Sequence, residues 1–224
     1  MKKKYIILVC LFLTTNILAQ RLQHEKWGIA GKIDISLFDG DVPNPNSAFL
    51  SSADINIAAG VALDYYFVPQ MGFIMEYFYT PISVDLPNFK FSGDVNAVAL
   101  YASFSVLNII NPYRRPTWNL FVNPGIGLSF YNSESKASPY SEPRKLENES
   151  CVTYPMELAL EYNFNSWWAV LWGIQYRFQS KDNFEAMRDK QGYSNDGLYV
   201  TTISLKYKFH EQMRSSYGKK NHCR

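Results

Sequence analysis

Long apolar runs are nearly absent from this sequence of 224 residues. The longest apolar stretch of the amino-terminal segment, residues 5–13, is too short to cross a bilayer, which takes about 20 residues. Beyond that segment, no uninterrupted apolar run reaches the roughly 18 residues that identify a membrane-spanning helix. The sequence therefore argues against a helical membrane protein.

Cysteine and histidine are also scarce, with three of each. Once the amino-terminal segment is removed, only Cys151 and Cys223 remain, too few for a fold built on disulfides. His24, His210 and His222 lie outside the strands predicted below, and no metal-ligand spacing, nucleophile elbow or phosphate-binding glycine loop is present. We therefore predict no enzymatic activity, no catalytic residue, no metal and no cofactor.

The amino-terminal segment has the organisation of a secretory signal peptide. A basic start at residues 2–4 precedes the apolar stretch, and the small Ala19 precedes Gln20. We predict a signal peptide over residues 1–19, an outer-membrane β-barrel over residues 20–209 and a basic periplasmic tail over residues 210–224. The chain is thus expected to leave the cytoplasm.

The rest of the chain alternates apolar residues with small or polar ones, with a period of two. The clearest example runs from Gly197 to Phe209, where nearly every second residue from Tyr199 onward is suited to face lipid. Eight such segments occur: Trp27 to Phe38, Ala53 to Val68, Gly72 to Thr80, Val95 to Leu107, Trp118 to Tyr131, Val152 to Phe164, Trp168 to Gln179 and Gly197 to Phe209. Only helices and closed barrels satisfy their backbone within lipid. The pattern therefore predicts an all-β, eight-stranded, antiparallel up-and-down transmembrane β-barrel.

The connecting segments alternate in length, as expected for a barrel with short periplasmic turns and longer outer loops. Short or moderate connectors are predicted at residues 69–71, 108–117 and 165–167, and long polar ones at 40–52, 81–94, 132–151 and 180–195. Both termini then lie in the periplasm. The fourth segment is ambiguous, because residues 95–110 are apolar enough to form a buried helix instead.

Two runs add a family resemblance, P-G-I-G-L-S-F at residues 124–130 and P-M-E-L-A-L-E-Y-N-F at residues 155–164. Together with the signal peptide, the eight alternating segments and the aromatic end of the last strand, they resemble the OmpA-like outer-membrane β-barrel family, particularly its Bacteroidetes-type small barrels. The resemblance covers Trp27 to Phe209. It implies an outer-membrane location of the Gram-negative type.

Charged residues recur on the face opposite the apolar one. They are Lys32, Asp34, Asp64, Glu76, Glu157, Glu161, Arg177, Lys206 and Lys208. An eight-stranded barrel is about wide enough for side chains to fill it, and an isolated buried charge costs several kcal/mol. We predict that these residues pair as a structural network that plugs the lumen. A gated ion path or proton relay is the alternative.

Several partners are expected from these features. Tyr207 and Phe209 give the last strand the aromatic ending of a closing strand, which predicts recognition by the barrel-assembly machinery. The apolar faces predict contact with outer-membrane lipid and lipopolysaccharide. A net charge of only +2 predicts no nucleic-acid partner. The basic tail allows a cell-wall or surface partner that the sequence does not identify.

The sequence thus predicts a non-catalytic outer-membrane barrel with a structural, surface-interaction or narrow passive-pore role. One alternative is a soluble periplasmic β-barrel that binds an apolar ligand, in which the apolar faces would point inward. The strand face opposite the apolar one consists mostly of Gly, Ala, Ser and Asn rather than Lys and Glu, and this composition favours the membrane barrel. Another alternative is an outer-membrane enzyme or secretion component. Its chemistry would need a histidine or similar group near the outer rim.

Overall fold

A computed structural model of the chain describes residues 26–39, 55–86, 89–111, 117–136, 144–180 and 197–209. Nearly all of these residues lie in eight strands: β1 (Trp27–Asp39), β2 (Ile55–Val68), β3 (Met71–Leu86), β4 (Phe89–Ser105), β5 (Trp118–Lys136), β6 (Arg144–Asn163), β7 (Trp168–Gln179) and β8 (Gly197–Phe209). A short helix, α1 (Val106–Ile110), follows β4. The predicted signal peptide, the basic tail, Cys223 and the three histidines lie outside the described residues.

Each strand pairs antiparallel with its neighbour in sequence, and β8 pairs with β1, so that the sheet closes on itself. The closing register runs from Trp27 opposite Phe209 to Asp39 opposite Gly197. We call the end of the barrel that holds Trp27 and Phe209 the near end, and the opposite end the far end. The predicted eight-stranded antiparallel barrel is confirmed.

The two faces of the sheet follow the alternation in the sequence. In β8, Ile203 and Leu205 are exposed on the outside, whereas Ser204 and Lys206 are buried inside. Outward apolar side chains on all eight strands form a continuous band, far larger than the apolar patches of soluble monomers. This orientation is opposite to the one that a soluble barrel with an apolar ligand requires.

Aromatic side chains mark both edges of the apolar band. At the near end, the rings of Trp27 and Tyr65 have centroids 4.6 Å apart, and at the far end those of Tyr176 and Tyr199 are 4.5 Å apart. Along β8, eight residues lead from Tyr199 to Tyr207, about 27 Å of strand. Allowing for strand tilt, this spacing is close to the height of about 25 Å expected of the band of a transmembrane barrel.

Four adjacent strands are longer than predicted and extend past the far end. The last pair between β2 and β3 joins Ala59 to Tyr79, yet β3 and β4 stay paired as far as Leu86 with Phe89. The strands β5 and β6 continue in the same direction. We call this region the sheet extension; it comprises residues 80–86, 89–96, 131–136 and 144–150.

The predicted loops at residues 81–94 and 132–151 are therefore wrong, since most of both segments is strand. The alternation changes phase where the extension begins. Tyr79 is an aromatic residue facing outward, but three residues later Ile82 is buried, and the next residue, Ser83, is exposed. Beyond the apolar band the sheet thus turns its polar face outward and its apolar face inward, as a sheet in water does.

The fourth segment is a strand and not the helix considered as an alternative. Val98 and Leu100 in β4 are exposed on the outer face, as its strand alternation predicts. In the described ranges, helix occurs only in the single turn of α1, where Ser105 Oγ accepts a hydrogen bond from the Asn108 backbone N–H at 3.3 Å. Within the described part of the chain, no helix combines the length and the apolar character needed to cross a membrane.

Candidate functional site in the barrel interior

The charged residues on the inward face are buried in the barrel interior. Lys32, Asp34, Asp64, Glu76, Glu157, Glu161, Arg177 and Lys206 are each at most 8% exposed. Lys208, closest to the near end, is half-buried. Eight strands leave a lumen that only side chains fill, so these groups come within reach of one another. They form two clusters at different depths.

The first cluster lies toward the near end and consists of Asp64, Glu161, Lys206 and Lys208. Lys206 forms a salt bridge with Asp64, and its Nζ is 3.3 Å from Glu161 Oε2. Lys208 Nζ donates to Glu161 Oε1 at 2.8 Å. Lys206 Nζ also lies 5.0 Å from the ring centroid of Tyr66. Two bases and two acids thus neutralise each other within this near cluster.

The second cluster, which we call the central cluster, joins four strands across the lumen. Glu76 of β3 forms salt bridges with both Lys32 of β1 and Arg177 of β7. Lys32 Nζ is also 3.2 Å from Glu157 Oε1 of β6. The guanidinium carbon of Arg177 lies 4.1 Å from the ring centroid of Phe78. Each of these buried charges has an opposite charge in contact, as burial in a low dielectric requires.

Three uncharged residues complete the central cluster, and sequence reasoning assigned none of them a role. Tyr101 Oη donates to Glu76 Oε1 at 3.0 Å and accepts from Gln175 Nε2 at 2.7 Å. Asn123 Nδ2 donates to Glu157 Oε2 at 2.7 Å. Their only signal in the sequence is that they occupy inward positions of strands whose other face is apolar.

Gly125 makes room for the Tyr101 ring. A Cβ at this position would lie 2.6 Å from Tyr101 Cδ1 and 3.1 Å from the backbone oxygen of Leu100. The glycine of the P-G-I-G run is therefore needed for close approach of the aromatic ring to the neighbouring strand. A larger residue would displace Tyr101 and, with it, a hydrogen bond to Glu76.

Asp34 differs from the other interior acids. It is 1% exposed and lies opposite Ala58 and Thr202 in the register. Among the described residues, neither of its carboxylate oxygens has a hydrogen-bond partner, and the same is true of Thr202 Oγ1. The nine charged residues of the predicted network comprise five acids and four bases. Among the described residues, Asp34 is the acid without a salt bridge, and its nearest polar neighbour is the Thr202 side chain across the β1–β8 pair.

Toward the far end, an apolar layer lies above the central cluster. It is formed by Ala58, Phe78, Ile82, Val95, Ala97, Tyr131, Cys151, Leu198 and Val200. Cys151 is opposite Ser129 in the register, and its thiol is 3.7 Å from Gln179 Oε1 inside the barrel. An ion that followed the axis would have to separate salt bridges and then shed water to cross this layer.

The two residues predicted to signal strand closure lie at the near end of β8. Phe209 is exposed and pairs in register with Trp27, and the Tyr207 ring lies 4.9 Å from that of Trp168. As for other chemistry, no group of three or more His, Cys, Asp and Glu side chains is arranged to hold a metal ion within the described ranges.

This architecture defines a class, the small eight-stranded transmembrane β-barrel, and solved outer-membrane proteins share it. The Neisserial surface protein A has a TM-score of 0.54 at 10% identity, covering 82% of this chain and 97% of that one. The attachment invasion locus protein Ail of Yersinia pestis has a TM-score of 0.53 at 11% identity, covering 83% of this chain and 100% of that one. The outer membrane protein OprG of Pseudomonas aeruginosa has a TM-score of 0.50 at 13% identity, covering 84% of this chain and 98% of that one. Identities this low show the shared fold alone.

No family model matches the sequence, and a comparison with curated proteins likewise gives no match.

Proposed function

We propose that this chain is a non-catalytic outer-membrane barrel of the OmpA-like type, which holds the sheet extension at the cell surface as an interaction platform and does not conduct solutes. The observation that carries the proposal is the asymmetry of the barrel. Strands β3 to β6 extend past the far end, while at the near end only residues 69–70 separate β2 from β3. Short turns are periplasmic in such barrels and long connections are outside.

The filled interior supports the absence of conduction. Salt bridges link opposite walls in the central cluster, and the apolar layer covers that cluster on the far side. A narrow passive pore, one of the roles expected from the sequence, would need a water-filled path through both. The geometry therefore favours a surface role over a pore.

Two of the similar structures are of a Neisserial surface protein and of an attachment invasion locus protein, which share the barrel fold. They are consistent with a surface role for this chain. The argument for that role nevertheless rests on the extended strands of this chain.

Surface labelling tests the orientation. An epitope inserted within residues 137–143, between β5 and β6, is expected to bind antibody on intact cells. The matched control carries the same epitope at residues 165–166, between β6 and β7, and is expected to bind only after the outer membrane is permeabilised. The reverse pattern, or recovery of the protein in the soluble periplasm, would overturn the proposal.

Planar-bilayer recording tests the closed lumen. We expect the purified protein to conduct far less than a general porin, whose roughly 16–18 strands leave an aqueous channel. A large and steady conductance would contradict the closed interior and make solute passage the primary function.

A further inference from the structure

Asp34 and Thr202 lie side by side in the barrel interior, on the two strands that close the sheet. Asp34 belongs to β1 and Thr202 to β8, and the two residues are directly opposite in the register. They are 1% and 2% exposed. Residues directly opposite in an antiparallel pair have Cβ atoms about 4.5–5.5 Å apart, so the carboxylate and the hydroxyl are neighbours. We call these two residues the Asp34–Thr202 pair.

The polar atoms of this pair are buried without partners. Among the described residues, Asp34 Oδ1, Asp34 Oδ2 and Thr202 Oγ1 have no hydrogen bond. Buried polar atoms in folded proteins almost always contact a protein group or an ordered water. Three such oxygens on two adjacent residues therefore indicate a site that accepts a small bound group.

The bases that act on the Asp34 carboxylate, Lys32 and Arg177, are engaged by other acids. Lys32 forms salt bridges with Glu76 and Glu157, and Arg177 forms one with Glu76. Neither base lies within hydrogen-bond distance of Asp34. A buried carboxylate without a partner costs several kcal/mol. The Asp34 carboxylate therefore needs a positive charge from another source.

The charge balance of the interior gives the size of that positive charge. The near cluster contains two acids and two bases, and the central cluster contains two of each, so both clusters are neutral. Beyond these eight residues, Asp34 is the one fully buried charged residue in the described ranges. It adds a single negative charge. A monovalent cation neutralises that charge, whereas a water molecule supplies hydrogen bonds but no charge.

The surroundings of Asp34 suit a small cation. On the β2 side, Ala58 is its partner in the register, and a Cβ placed on Gly60 would lie 3.7 Å from Asp34 Oδ2. These small residues leave the carboxylate without a bulky neighbour on that side. Carboxylate and hydroxyl oxygens are ligands that hard cations prefer, and water completes the coordination.

We propose that the Asp34–Thr202 pair binds one monovalent metal cation, of which sodium is the probe. The cation neutralises the surplus acid of the interior and links the first strand to the last. The apolar layer lies toward the far end and the near cluster toward the near end. The cation therefore enters while the sheet closes and not along the lumen of the finished barrel.

Refolding in two salts tests the site. Purified protein is diluted from urea into detergent micelles while sodium chloride replaces choline chloride stepwise at constant ionic strength and constant pH. Choline is too large to bind between adjacent strands. Once the sodium concentration exceeds the dissociation constant, we expect each tenfold rise to add about 1.4 kcal/mol to the free energy of unfolding. Equal stability across the whole series would overturn the proposal.

Variants of the pair locate the cation. Asp34→Asn keeps the side-chain shape, removes the charge and is expected to abolish the sodium dependence. In choline chloride alone it is expected to be at least as stable as the parent, because it removes an uncompensated buried charge. Thr202→Val removes the hydroxyl and is expected to shift the sodium dependence to an about tenfold higher concentration.

Asp94→Asn is the matched control, since it removes an acid from the outward side of β4. It is expected to respond to sodium as the parent does. A parental response in Asp34→Asn or Thr202→Val, or a lost response in Asp94→Asn, would contradict the site. If Asp34→Asn does not fold, Thr202→Val and Asp94→Asn provide the comparison.

A proton on Asp34 would also neutralise the interior, and the same assay distinguishes it from a metal cation. A protonated carboxyl makes the stability depend on pH but not on sodium at constant pH, and that result would overturn the proposal. The assay uses purified protein, so its outcome is independent of the orientation of the barrel in the cell.

Discussion

At the scale of single residues, Glu76 holds the central cluster together. Its carboxylate is in contact with Lys32 and Arg177 and accepts a hydrogen bond from Tyr101. Glu76→Gln keeps the side-chain shape but, among the described residues, leaves Glu157 as the only acid in contact with either base. We expect the free energy of unfolding in urea to fall by about 3–5 kcal/mol, because breaking a buried ion pair leaves a charge uncompensated.

The control for this variant is Glu147→Gln, at an exposed position of β6. Surface substitutions usually change stability by less than about 0.5 kcal/mol. Equal losses in the two variants would show that the central cluster does not stabilise the barrel.

A second pair of variants compares Asp34 with Asp64. Asp34 lacks hydrogen-bond partners among the described residues, whereas Asp64 forms a salt bridge with Lys206. A buried charge without hydrogen bonds is costly, so Asp34→Asn is expected to leave stability unchanged or raise it. Asp64→Asn is expected to lower it. Parallel urea titrations measure both, and a greater loss for Asp34→Asn would contradict this assignment.

The sequence predicts which charged residues point inward, but it does not predict which of them form salt bridges with one another. Alternation alone places Lys32, Glu76 and Arg177 on the inner face. Their contacts join β1, β3 and β7, which are not neighbours in the sheet, so they depend on how register and strand tilt bring opposite walls together. Tyr101 was missed for another reason, since the apolar composition of its segment allowed a helix.

At the scale of strands, the eight elements and their lipid-facing sides were predictable, whereas the sheet extension was not. Within the membrane the apolar residues face outward, but beyond it the buried residues are Ile82 and Val95 and the outward ones are Ser83 and Asp94. A search for one continuous apolar face ends where this reversal begins. Pro81 and the Pro87–Asn88 pair are residues typical of turns, although Pro81 lies within β3.

The tip of the β3–β4 hairpin is expected to be dispensable for the barrel. Ser83 is opposite Ser92 in the register, so residues 84–91 can be replaced by Asn-Gly, which favours a two-residue hairpin turn. We expect this variant to keep the different gel mobilities of boiled and unboiled samples that report a folded barrel.

The comparison replaces residues 198–205 of β8 by Asn-Gly, which shortens the chain by the same number of residues. It removes positions that pair with both β1 and β7, and we expect no folded species. If the hairpin deletion also abolished folding, the sheet extension would be part of the structural core.

At the scale of the whole molecule, the interior is layered, with charge below and apolar side chains above. Phe78→Ala with Leu198→Ala opens the apolar layer, because both side chains are 1% exposed within it. We expect measurable ion leakage in planar bilayers, above that of the parent. Phe130→Ala, which shortens an exposed ring on the outside, is the control and is expected to change nothing.

If the parent, the Phe78→Ala/Leu198→Ala variant and the Phe130→Ala control all show the same ion leakage, the salt bridges alone close the lumen. In that case Glu76→Gln, rather than the apolar variants, is the substitution expected to raise conductance.

The pairing of Trp27 with Phe209 also bears on how the chain is made. A ribosome produces β1 first and β8 last, so the partner of β1 across the closing seam is among the last segments to emerge. No amino-terminal fragment can satisfy its backbone in lipid, where each unpaired group costs several kcal/mol. Insertion into the membrane therefore requires the complete chain. We expect a chain that ends before β8 to be degraded rather than to form a smaller barrel.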